Sequence, residues 1–411
     1  MEATYRPERM VHGGRALARD TDGRVVLLHG AIPGETVRAE VRTVAGVAQG
    51  AVTEVLEADP DRIPPGPHPG LDLGFVRYER QLRLKAEVLR DAAHRAGVAL
   101  PSDHVAVEPS PRTWGYRGGV QPAVRDGRLG YRREGSDELV VLDNDPTANA
   151  ALQRAWTALE QVGLPAGVVE VALRGNDAGE ALAAFVATVP DRELLDLGHA
   201  LVRAGLAGVA VAPWDARGRF RSGKSRLAGK REIRQRFGEI EASVSATAFA
   251  QPNPEAAGAA YRALTRMTPG GDHACDLFAG SGLIGMHLAD RYQRVTAVEV
   301  SHESVTRGRR DAERLGLEGR LTFVRGDARK RPIPGAELLA VDPPRAGLSK
   351  PLRRAISASG AKVLAYMACD VATWARDAAD LTAHGWRLAE VRPFDFLPHT
   401  HHLELVSRFE R

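Results

Sequence analysis

The sequence has few cysteines and no long uninterrupted apolar stretch. Two cysteines, Cys275 and Cys369, among 411 residues cannot build a disulfide framework, so a reducing compartment is favoured. No run of about 18 apolar residues is present that could cross a bilayer as a helix. The stretch from Met1 to Arg9 contains acids and no apolar core, unlike a signal peptide. Together these absences predict a cytoplasmic protein without a membrane partner.

The sequence also has little excess charge of either sign, although one segment is strongly basic. The formal net charge is +4, and the sequence pI near 9.2 permits a polyanionic partner without requiring one. Nine basic residues and one acid, Glu232, lie in this segment, interleaved with serine and glycine. The nine are Arg217, Arg219, Arg221, Lys224, Arg226, Lys230, Arg231, Arg234 and Arg236. Such a run is typical either of a solvated face or of a surface that neutralises RNA phosphates.

Residues 1–60 are predicted to form a small β domain. The β-rich runs are Arg24–His29, Glu35–Val41 and Val47–Leu56. Turn signals stand between them at Asp22-Gly23 and Pro33-Gly34. Several short strands in so short a segment need closure to protect their edges, which favours an OB-like β-barrel.

Residues 61–255 are predicted to contain a linker, one helix and a central α+β domain. The Pro/Gly-rich passage Asp59–Gly74 reads as the linker, and apolar spacing predicts a helix over Val76–Ala96. The patterns further on predict a hairpin of Val168–Leu173 with Ala181–Thr188, a helix over Asp191–Ala204 and a strand over Gly208–Ala212.

Residues 256–411 alternate strand and helix patterns. The strand candidates are His273–Ala279, Val295–Val300, Leu321–Gly326, Glu337–Val341 and Lys362–Cys369. Helices are predicted over Ser301–Leu315, beginning at a serine N-cap, and over Val371–Ala383, capped by Asp370. The alternation implies a parallel sheet with helices on both faces, which is a Rossmann-like α/β fold.

The last two runs of this region, Arg387–Pro393 and His402–Phe409, have no helix between them. They predict an antiparallel pair at the sheet edge. That arrangement is associated with class I methyltransferases rather than with most dinucleotide-binding folds.

A glycine-rich loop follows the first of these strands. The stretch Asp276-Leu-Phe-Ala-Gly-Ser-Gly-Leu-Ile-Gly285 has glycines, among them Gly280 and Gly282, that let the backbone turn against a cofactor at a helix N-terminus. Glu299 ends the second strand, where a carboxylate can accept both hydrogen bonds of a ribose diol. The loop fits NAD as well as S-adenosylmethionine, and a tight structural turn has the same pattern.

Two further acids follow the third and fourth strands. Asp327 stands where a carboxylate would face an adenine, or it is a loop acid. In Asp342-Pro-Pro-Arg345 the prolines fix the local backbone and hold Asp342 and Arg345 rigidly at the sheet edge. Amino-methylating enzymes usually carry an aromatic residue where Arg345 stands, so the sequence argues for a different target atom.

Cys369 ends the fifth strand, directly before the helix that begins at Val371. A helix N-terminus favours the thiolate and predicts a depressed pKa, so Cys369 is a candidate nucleophile. Cys275 lies inside an apolar strand and is predicted to be an unreactive residue of the core.

The C-terminal run Phe396–Leu405 contains several histidines and Glu404. A regular strand would point His401 and His402 to opposite faces, and the spacing is unlike a zinc motif, so no metal is predicted. Glu404 would share a face with His402. It is a candidate general base or a solvated edge-strand acid.

These motifs resemble those of the RNA uracil-carbon-5 methyltransferases, the family that makes 5-methyluridine. The stretches that carry the resemblance are Phe249-Ala-Gln251-Pro-Asn253, Asp276-Leu-Phe278-Ala-Gly280, Asp342-Pro-Pro-Arg345, Tyr366-Met-Ala-Cys369 with Thr373 and Arg376-Asp377, and Pro398-His-Thr400-His-His402-Leu-Glu404. Trp114-Gly-Tyr116-Arg117 resembles the start of the family's middle region, and Gly30-Ala-Ile-Pro-Gly-Glu35 looks like the RNA-binding barrel called TRAM. The resemblance covers nearly the whole chain.

The resemblance implies an enzyme that uses S-adenosylmethionine to methylate carbon 5 of a uridine in structured RNA. It assigns Cys369 as nucleophile and Glu404 as base. The cofactor-binding residues it implies are Gln251, Phe278, Gly280, Gly282, Glu299, Asp327 and Asp342. The expected partner is ribosomal or transfer RNA with an unpaired loop uridine, because a target base must leave its stack. We expect a monomer.

The chain also departs from the family pattern. Many members hold an iron–sulfur cluster through four cysteines, and the corresponding positions here are Gly66, Asp72, Phe75 and Asp145, so no cluster is expected. Asp370 replaces the usual Asn after the nucleophile, and an acid beside the thiol is expected to oppose thiolate formation. Ala368 replaces a usual Ser, and Leu283 replaces a polar residue.

Three other functions are consistent with parts of the pattern. An RNA-binding protein of the same fold that has lost catalysis is the main alternative. A dehydrogenase would use the glycine loop but not the Cys and Glu motifs. A cytosine-carbon-5 methyltransferase would carry a cysteine after the proline pair, where Arg345 stands.

Overall fold

The structure is a computed structural model that describes residues 2–220, 223–330 and 333–411. Arg221, one of the nine cations of the basic run, lies outside the described residues. Among the helices of these ranges, none is long and apolar enough to span a membrane.

The N-terminal segment forms one six-stranded sheet. Its strands are β1 (Glu2–Tyr5), β2 (Arg9–Val11), β3 (Arg15–Arg19), β4 (Val25–His29), β5 (Thr36–Val44) and β6 (Val47–Glu57). The order is β1-β5-β6-β4-β3-β2, and all neighbours are antiparallel except β4 and β6. Alternation along β4 buries Val26 and Leu28 and leaves Val25 exposed. The small β domain is confirmed, and its closure into a barrel stays a prediction.

The central region contains an eight-stranded sheet, with α1 (Tyr78–Arg95) preceding it. Its elements are β7 (Gly119–Val120), β8 (Ala123–Arg125), β9 (Arg128–Arg132), β10 (Leu139–Val141), α2 (Ala150–Val162), β11 (Val168–Gly175), β12 (Ala181–Ala187), a 3₁₀ turn (Asp191–Leu194), α3 (Leu195–Arg203), β13 (Gly208–Pro213) and β14 (Ser225–Gly229). The predicted hairpin is β11 with β12, and the predicted strand is β13. The predicted helix over Asp191–Ala204 opens with the 3₁₀ turn. A separate two-stranded sheet follows, made of β15 (Ile233–Phe237) and β16 (Ile240–Val244).

The C-terminal region forms a seven-stranded sheet flanked by helices. Its elements are α4 (Pro254–Met267), β17 (Gly271–Leu277), α5 (Leu283–Leu288), β18 (Tyr292–Glu299), α6 (His302–Arg314), β19 (Leu321–Arg325), β20 (Leu338–Val341), α7 (Lys350–Ala358), β21 (Val363–Ala368), α8 (Val371–Ala383), β22 (Arg387–Phe394) and β23 (Glu404–Glu410). The order is β19-β18-β17-β20-β21-β23-β22, with β17 to β21 parallel. The last two strands are antiparallel, as predicted, and β23 lies between β21 and β22.

The parallel strands bring the ends of β17, β18, β20 and β21 to one edge of this sheet, where ligands of open α/β sheets bind. The predicted N-caps are present there. Ser301 Oγ accepts from Ser304 N at 3.3 Å, and Asp370 Oδ1 accepts from Thr373 N at 2.8 Å. Each cap fixes the start of a helix, and so fixes the position of the residue just before it.

Helix α1 shares its core with the C-terminal sheet. Leu89 and Ala93 belong to the same buried cluster as Trp374 and Ala378 of α8. The helix therefore packs against the C-terminal region, whereas the central sheet has its own core around Phe185. The residue bounds of the three domains remain a prediction.

Candidate active site

The glycine loop between β17 and α5 has an open backbone. Gly280 (φ 57°) and Gly282 (φ 82°) are left-handed, and a Cβ on Gly282 would approach Phe323 to 2.5 Å. A Cβ on Gly280 would meet nothing within 4 Å, so this part of the loop faces free space. Asp276 holds the loop from below, since its Oδ2 accepts from Gly285 N at 2.9 Å. Phe278 is also left-handed (φ 63°), a strained conformation for an aromatic residue.

Glu299 ends β18 and faces the same loop. Its Oε2 accepts from Gly280 N at 3.0 Å and its Oε1 from Ser301 N at 2.6 Å. These bonds fix the carboxylate between the glycine loop and the start of α6. Each oxygen keeps a second lone pair, which is the geometry expected for accepting from a ribose diol.

Asp327 lies in the loop after β19, beside the end of β18. The preceding residue, Gly326, donates its N–H to Glu299 O at 2.9 Å. Arg329 forms an ion pair with Asp327 at 2.9 Å and lowers the pKa of that carboxyl. Asp327 therefore lies near the end of β18, where Glu299 is located, and its carboxylate stays charged.

Cys369 and Glu404 are brought together by the pairing of β21 with β23. Ala368 is opposite Leu405 in this antiparallel register, so the next pair is Cys369 with Glu404. Glu404 is 6% exposed, and its Oε1 has no hydrogen-bond partner among the residues described. It is therefore a buried carboxylate whose charge acts on the thiol of Cys369, and not a solvated acid.

The pKa of the Cys369 thiol is raised to about 12, which contradicts the depressed value expected from its helix N-terminus. The main cause is desolvation, followed by the charges of Glu404 and Asp342, while Arg345 acts in the opposite direction. Burial raises the pKa of Asp342 to about 7. Burial and the charge of Asp342 also raise the pKa of Glu404 well above its usual range. Desolvation, together with the nearby carboxylates, outweighs the helix dipole at this thiol.

The main causes of the raised thiol pKa do not include Asp370, although it stands next to Cys369 in the sequence. Its carboxylate caps α8 and pairs with His12 Nε2 of the N-terminal sheet at 3.2 Å. Its own pKa is lowered, because the bonds from His12 and Thr373 outweigh desolvation. Asp370 is thus a stably ionised cap.

The Pro-Pro-Arg loop after β20 is fastened to α8 by the residues of the Cys369 motif. Thr373 Oγ1 donates to Arg345 O at 3.1 Å. The buried Asp377 accepts from Leu348 N at 2.7 Å and from Tyr366 Oη at 2.9 Å. These contacts hold the loop that contains Arg345 against α8, so that the charges of Asp342 and Arg345 act on Cys369.

Gln251 and Asn253 lead into α4 on the other side of the site. Gln251 is 9% exposed, and Asn253 Nδ2 donates to Phe396 O at 3.0 Å, joining α4 to the C-terminal run. Tyr261 of α4 is buried near these residues, and burial raises its pKa, with Asp342 and Glu404 adding to the shift. The sequence pattern did not single out Tyr261, because its spacing on α4 is that of ordinary core.

The histidines of the C-terminal run lie outside the strand. Strand β23 begins at Glu404, and the rings of His401 and His402 are 4.2 Å apart, so the expected opposite faces are wrong. His401 Nδ1 lies 2.5 Å from Asp72 Oδ2. Within the described ranges, no group of three or more His, Cys, Asp or Glu side chains is arranged to hold a metal ion.

Three of the four positions matching the family's cluster cysteines, all except Gly66, make other side-chain contacts. Asp145 accepts from Tyr131 Oη at 2.6 Å and from Thr147 Oγ1 at 2.6 Å, and Asp72 binds His401. Phe75 lies under the guanidinium of Arg62 at 4.7 Å. The expectation that no cluster is bound stays a prediction.

The fold and the loop geometry define an S-adenosylmethionine-dependent methyltransferase. A family model described as a methyltransferase domain matches residues 274–342. The crystal structure of Pyrococcus abyssi tRNA (uracil-54, C5)-methyltransferase with S-adenosyl-L-homocysteine has a TM-score of 0.80 to this chain. It is 22% identical and covers 98% of this chain and 100% of its own, which shows the shared fold.

Sequence relatives extend over nearly the full length. The 23S rRNA (uracil(1939)-C(5))-methyltransferase RlmD of Alkalilimnicola ehrlichii is 32% identical, over 97% of this chain and 94% of its own. The RlmD of Halomonas elongata is 30% identical, over 98% and 88%. The chain therefore belongs to the RNA (uracil-C5)-methyltransferase family.

Proposed function

We propose that this enzyme methylates carbon 5 of an unpaired loop uridine through a covalent bond between Cys369 Sγ and carbon 6 of uracil. The observation that carries the proposal is the pairing of Cys369 with Glu404 across β21 and β23, next to Asp342. A nucleophile and a buried carboxylate face one another at the sheet edge where the cofactor loop also ends. Such perturbed groups in a cleft are typical of catalytic sites.

The residues of the site supply the covalent and proton-transfer steps. Cys369 thiolate attacks carbon 6 and moves an electron pair onto carbon 5 and oxygen 4, which makes carbon 5 nucleophilic. S-adenosylmethionine, when bound, supplies an electrophilic methyl group that carbon 5 takes. Glu404 removes the carbon-5 proton, and the released electron pair restores the ring double bond and expels Cys369 Sγ.

Asp342 has a role in forming the thiolate. A proton that moves from Cys369 Sγ to Asp342 leaves the net charge of the buried site unchanged, and the pKa of about 7 allows Asp342 to accept and return it. Glu404 gives its proton to solvent after each turnover. Asp342 must therefore be ionised before the thiol reacts, and Glu404 must be ionised before it removes the carbon-5 proton.

The residues present fit S-adenosylmethionine. The free space beside Gly280 and the fixed carboxylate of Glu299 suit a ribose, and Asp276 Oδ1 is buried without a partner in the part of the chain described. Phe278, Gln251 and Asp327 complete the set expected to contact or order the cofactor. Their roles rest on the family resemblance and on their positions around this loop.

Ribosomal RNA is the substrate we favour, since the full-length relatives carry that substrate in their names, and transfer RNA is the alternative. The basic run supports a limited role in RNA binding, because several of its cations have acidic partners. Arg219 pairs with Glu170, Lys224 with Glu303 and Lys230 with Glu180. We further propose that the enzyme acts as a monomer in the cytoplasm.

Methyl transfer to RNA fragments tests the proposal. The wild-type protein should convert a hairpin uridine to 5-methyluridine, and Cys369→Ala should lower the rate by at least roughly 10³-fold while RNA binding survives. Cys275→Ala is the matched control, since that thiol is buried in β17, and it should leave the rate near normal. Normal turnover by Cys369→Ala would remove the nucleophile assignment. RNA binding without any turnover by the wild-type protein would favour the non-catalytic alternative.

The cellular substrate can be found in a deletion strain. Mapping of 5-methyluridine across ribosomal and transfer RNA should show one or more positions lost on deletion and restored by wild-type protein but not by Cys369→Ala. An unchanged map would argue against the proposed function.

A further inference from the structure

A cavity of about 100 Å³ lies between the N-terminal sheet and the end of the catalytic sheet. Its wall contains His12 from the turn between β2 and β3, Lys85 from α1, Arg345, and Cys369 with Asp370. The N-terminal sheet therefore contributes a side chain to the surroundings of the nucleophile. That contact joins residues more than 350 positions apart in sequence, which no local pattern reveals.

The turn that carries His12 is docked tightly onto the catalytic region. A Cβ on Gly14 (φ 70°) would lie 2.2 Å from Asp72 Oδ2 and 2.9 Å from His401 Cβ. Only glycine fits at that contact, both for its backbone angle and for the lack of space. The position of His12 at the cavity is therefore built into the fold.

The His12 side chain is paired with Asp370 on one side and lines the cavity on the other. Its Nε2 is 3.2 Å from Asp370 Oδ2, and its side chain is 42% exposed. The ring of His401 meets it edge-on, with centroids 6.4 Å apart, and the charges of Arg345 and Arg95 also act on it. The hydrogen bond to Asp370 is the largest effect, and it raises the pKa of His12.

The cavity favours an anion. Its wall contains two permanent cations, Lys85 and Arg345, together with His12. Among the lining residues that the structure describes, Asp370 is the one acid, and it is paired with His12. Lys85 is buried and paired with Asp395 at 2.7 Å, which leaves His12 and the exposed Arg345 as the accessible cationic groups of the wall. The volume is below the roughly 300 Å³ of a small-molecule pocket, so one group of a larger ligand fits rather than a whole nucleotide.

We propose that His12 is a substrate-binding residue of the active site, which contacts a backbone phosphate next to the target uridine. This inference rests on the proposed function, since it requires the uracil to be at Cys369. Asp370 holds the imidazole in place, and protonated His12 donates its other N–H to the phosphate. The N-terminal sheet thereby positions the target uridine at Cys369, in addition to increasing the affinity of the enzyme for RNA.

The contact has a salt signature that can be measured without turnover. For a hairpin RNA with a loop uridine, His12→Gln should weaken binding roughly five- to tenfold. It should also reduce the slope of log affinity against log salt by about 0.7 to 1. His12→Lys keeps a cation there and should restore both values. His199→Gln, which changes an exposed histidine on α3, is the matched control and should change neither.

Kinetics separate this role from a structural one. His12→Gln should raise KM for RNA with kcat within about twofold of wild type, because a phosphate contact binds substrate and transition state equally. The wild-type KM should rise as pH increases through the raised pKa of His12, and the KM of His12→Lys should not. An unchanged salt slope with a fall in kcat would overturn the inference and leave His12 as a support for Asp370. Wild-type protein that binds RNA but never methylates it would instead count against the proposed function.

Discussion

The edge of the catalytic sheet has two unlike halves. In the donor half, around β17 and β18, the carboxylates of Asp276 and Glu299 accept hydrogen bonds from backbone N–H groups of the loop and the next helix. In the nucleophile half, around β20, β21 and β23, burial raises the pKa of Cys369 and of two carboxyl groups, and the charge of Asp342 raises those of Cys369 and Glu404 further. The donor half is anchored by backbone N–H groups, although burial also raises the pKa of Asp276 and leaves its Oδ1 without a partner among the described residues.

This difference matches two different tasks. Binding a cofactor needs a rigid surface that exists before the ligand arrives, which satisfied hydrogen bonds supply. Proton transfer needs carboxyl groups whose pKa values are displaced toward the working pH, which burial and the crowding of like charges supply. We therefore expect changes in the nucleophile half to alter rate and pH dependence, and changes in the donor half to alter affinity.

Of the changes that distinguish the two halves, Glu404→Gln is expected to have the largest effect. Without the base, the carbon-5 proton stays, and the rate should fall roughly 10²- to 10⁴-fold. A covalent protein–RNA adduct should accumulate and appear as a shifted band on a denaturing gel. The double variant Cys369→Ala with Glu404→Gln is the control and should show no adduct. Free release of methylated RNA by Glu404→Gln would contradict the base role.

The same substitution should stabilise the protein at higher pH. Because the pKa of Glu404 is raised in the folded state, unfolded Glu404 ionises first as pH rises above about 4.5, and wild-type stability is lost in that range. Glu404→Gln removes this loss, so its Tm should exceed that of wild type by a few degrees at pH 8 and match it near pH 4. A lower Tm at pH 8 would mean that the carboxylate is better accommodated than its surroundings indicate.

In the donor half, Glu299→Gln should lower the affinity for S-adenosylmethionine roughly tenfold, since a neutral amide is a weaker acceptor for ribose hydroxyls. The change in kcat at saturating cofactor should stay within about threefold. Calorimetric titration measures the affinity. Glu318→Gln changes an exposed acid between α6 and β19 and is the control. A loss confined to kcat would mean that Glu299 serves the chemical step and not cofactor binding.

The comparison also predicts which residue sets the pH profile. The rate should rise with pH, because Asp342 and Glu404 must ionise, and Asp342 does so near pH 7. Asp342→Asn removes one negative charge from beside Glu404 and Cys369. The normalised profile should therefore move toward acid by about one pH unit, even if the absolute rate falls. A profile that does not move would show that Asp342 is too far to affect the pair.

Much of the donor half follows from the sequence, because it is made of local features. The strand–glycine–helix order, Ser301 as an N-cap and Glu299 at a strand end all lie within about thirty residues. Local pattern and local structure agree in such a segment. The parallel strands of the C-terminal sheet could be predicted for the same reason, with ends displaced by at most three residues from the expected bounds.

The electrostatics of the nucleophile half could not be predicted, because they arise between distant strands. Cys369 and Glu404 were paired through family resemblance, while the direction of the thiol pKa depends on how deeply both are buried. The contact of His12 with Asp370 is also invisible to any local pattern. Short strands such as β7 and β8 were missed, since two or three residues carry no periodic signal.

The smallest effect is predicted for Asp370→Asn. It tests whether Asp370 acts on its sequence neighbour Cys369 or on the distant His12. Asparagine is as good an N-cap as aspartate, so Asp370→Asn should leave α8 and the Tm unchanged. His12 loses its anion, its pKa returns toward the usual value, and RNA affinity at pH 8 should weaken about two- to threefold while affinity at pH 6 is nearly unchanged. The pH profile of kcat should not move, because Glu404 and Asp342, and not Asp370, raise the thiol pKa. A profile displaced toward acid would instead mean that Asp370 opposes the thiolate, as its place beside Cys369 in the sequence suggests.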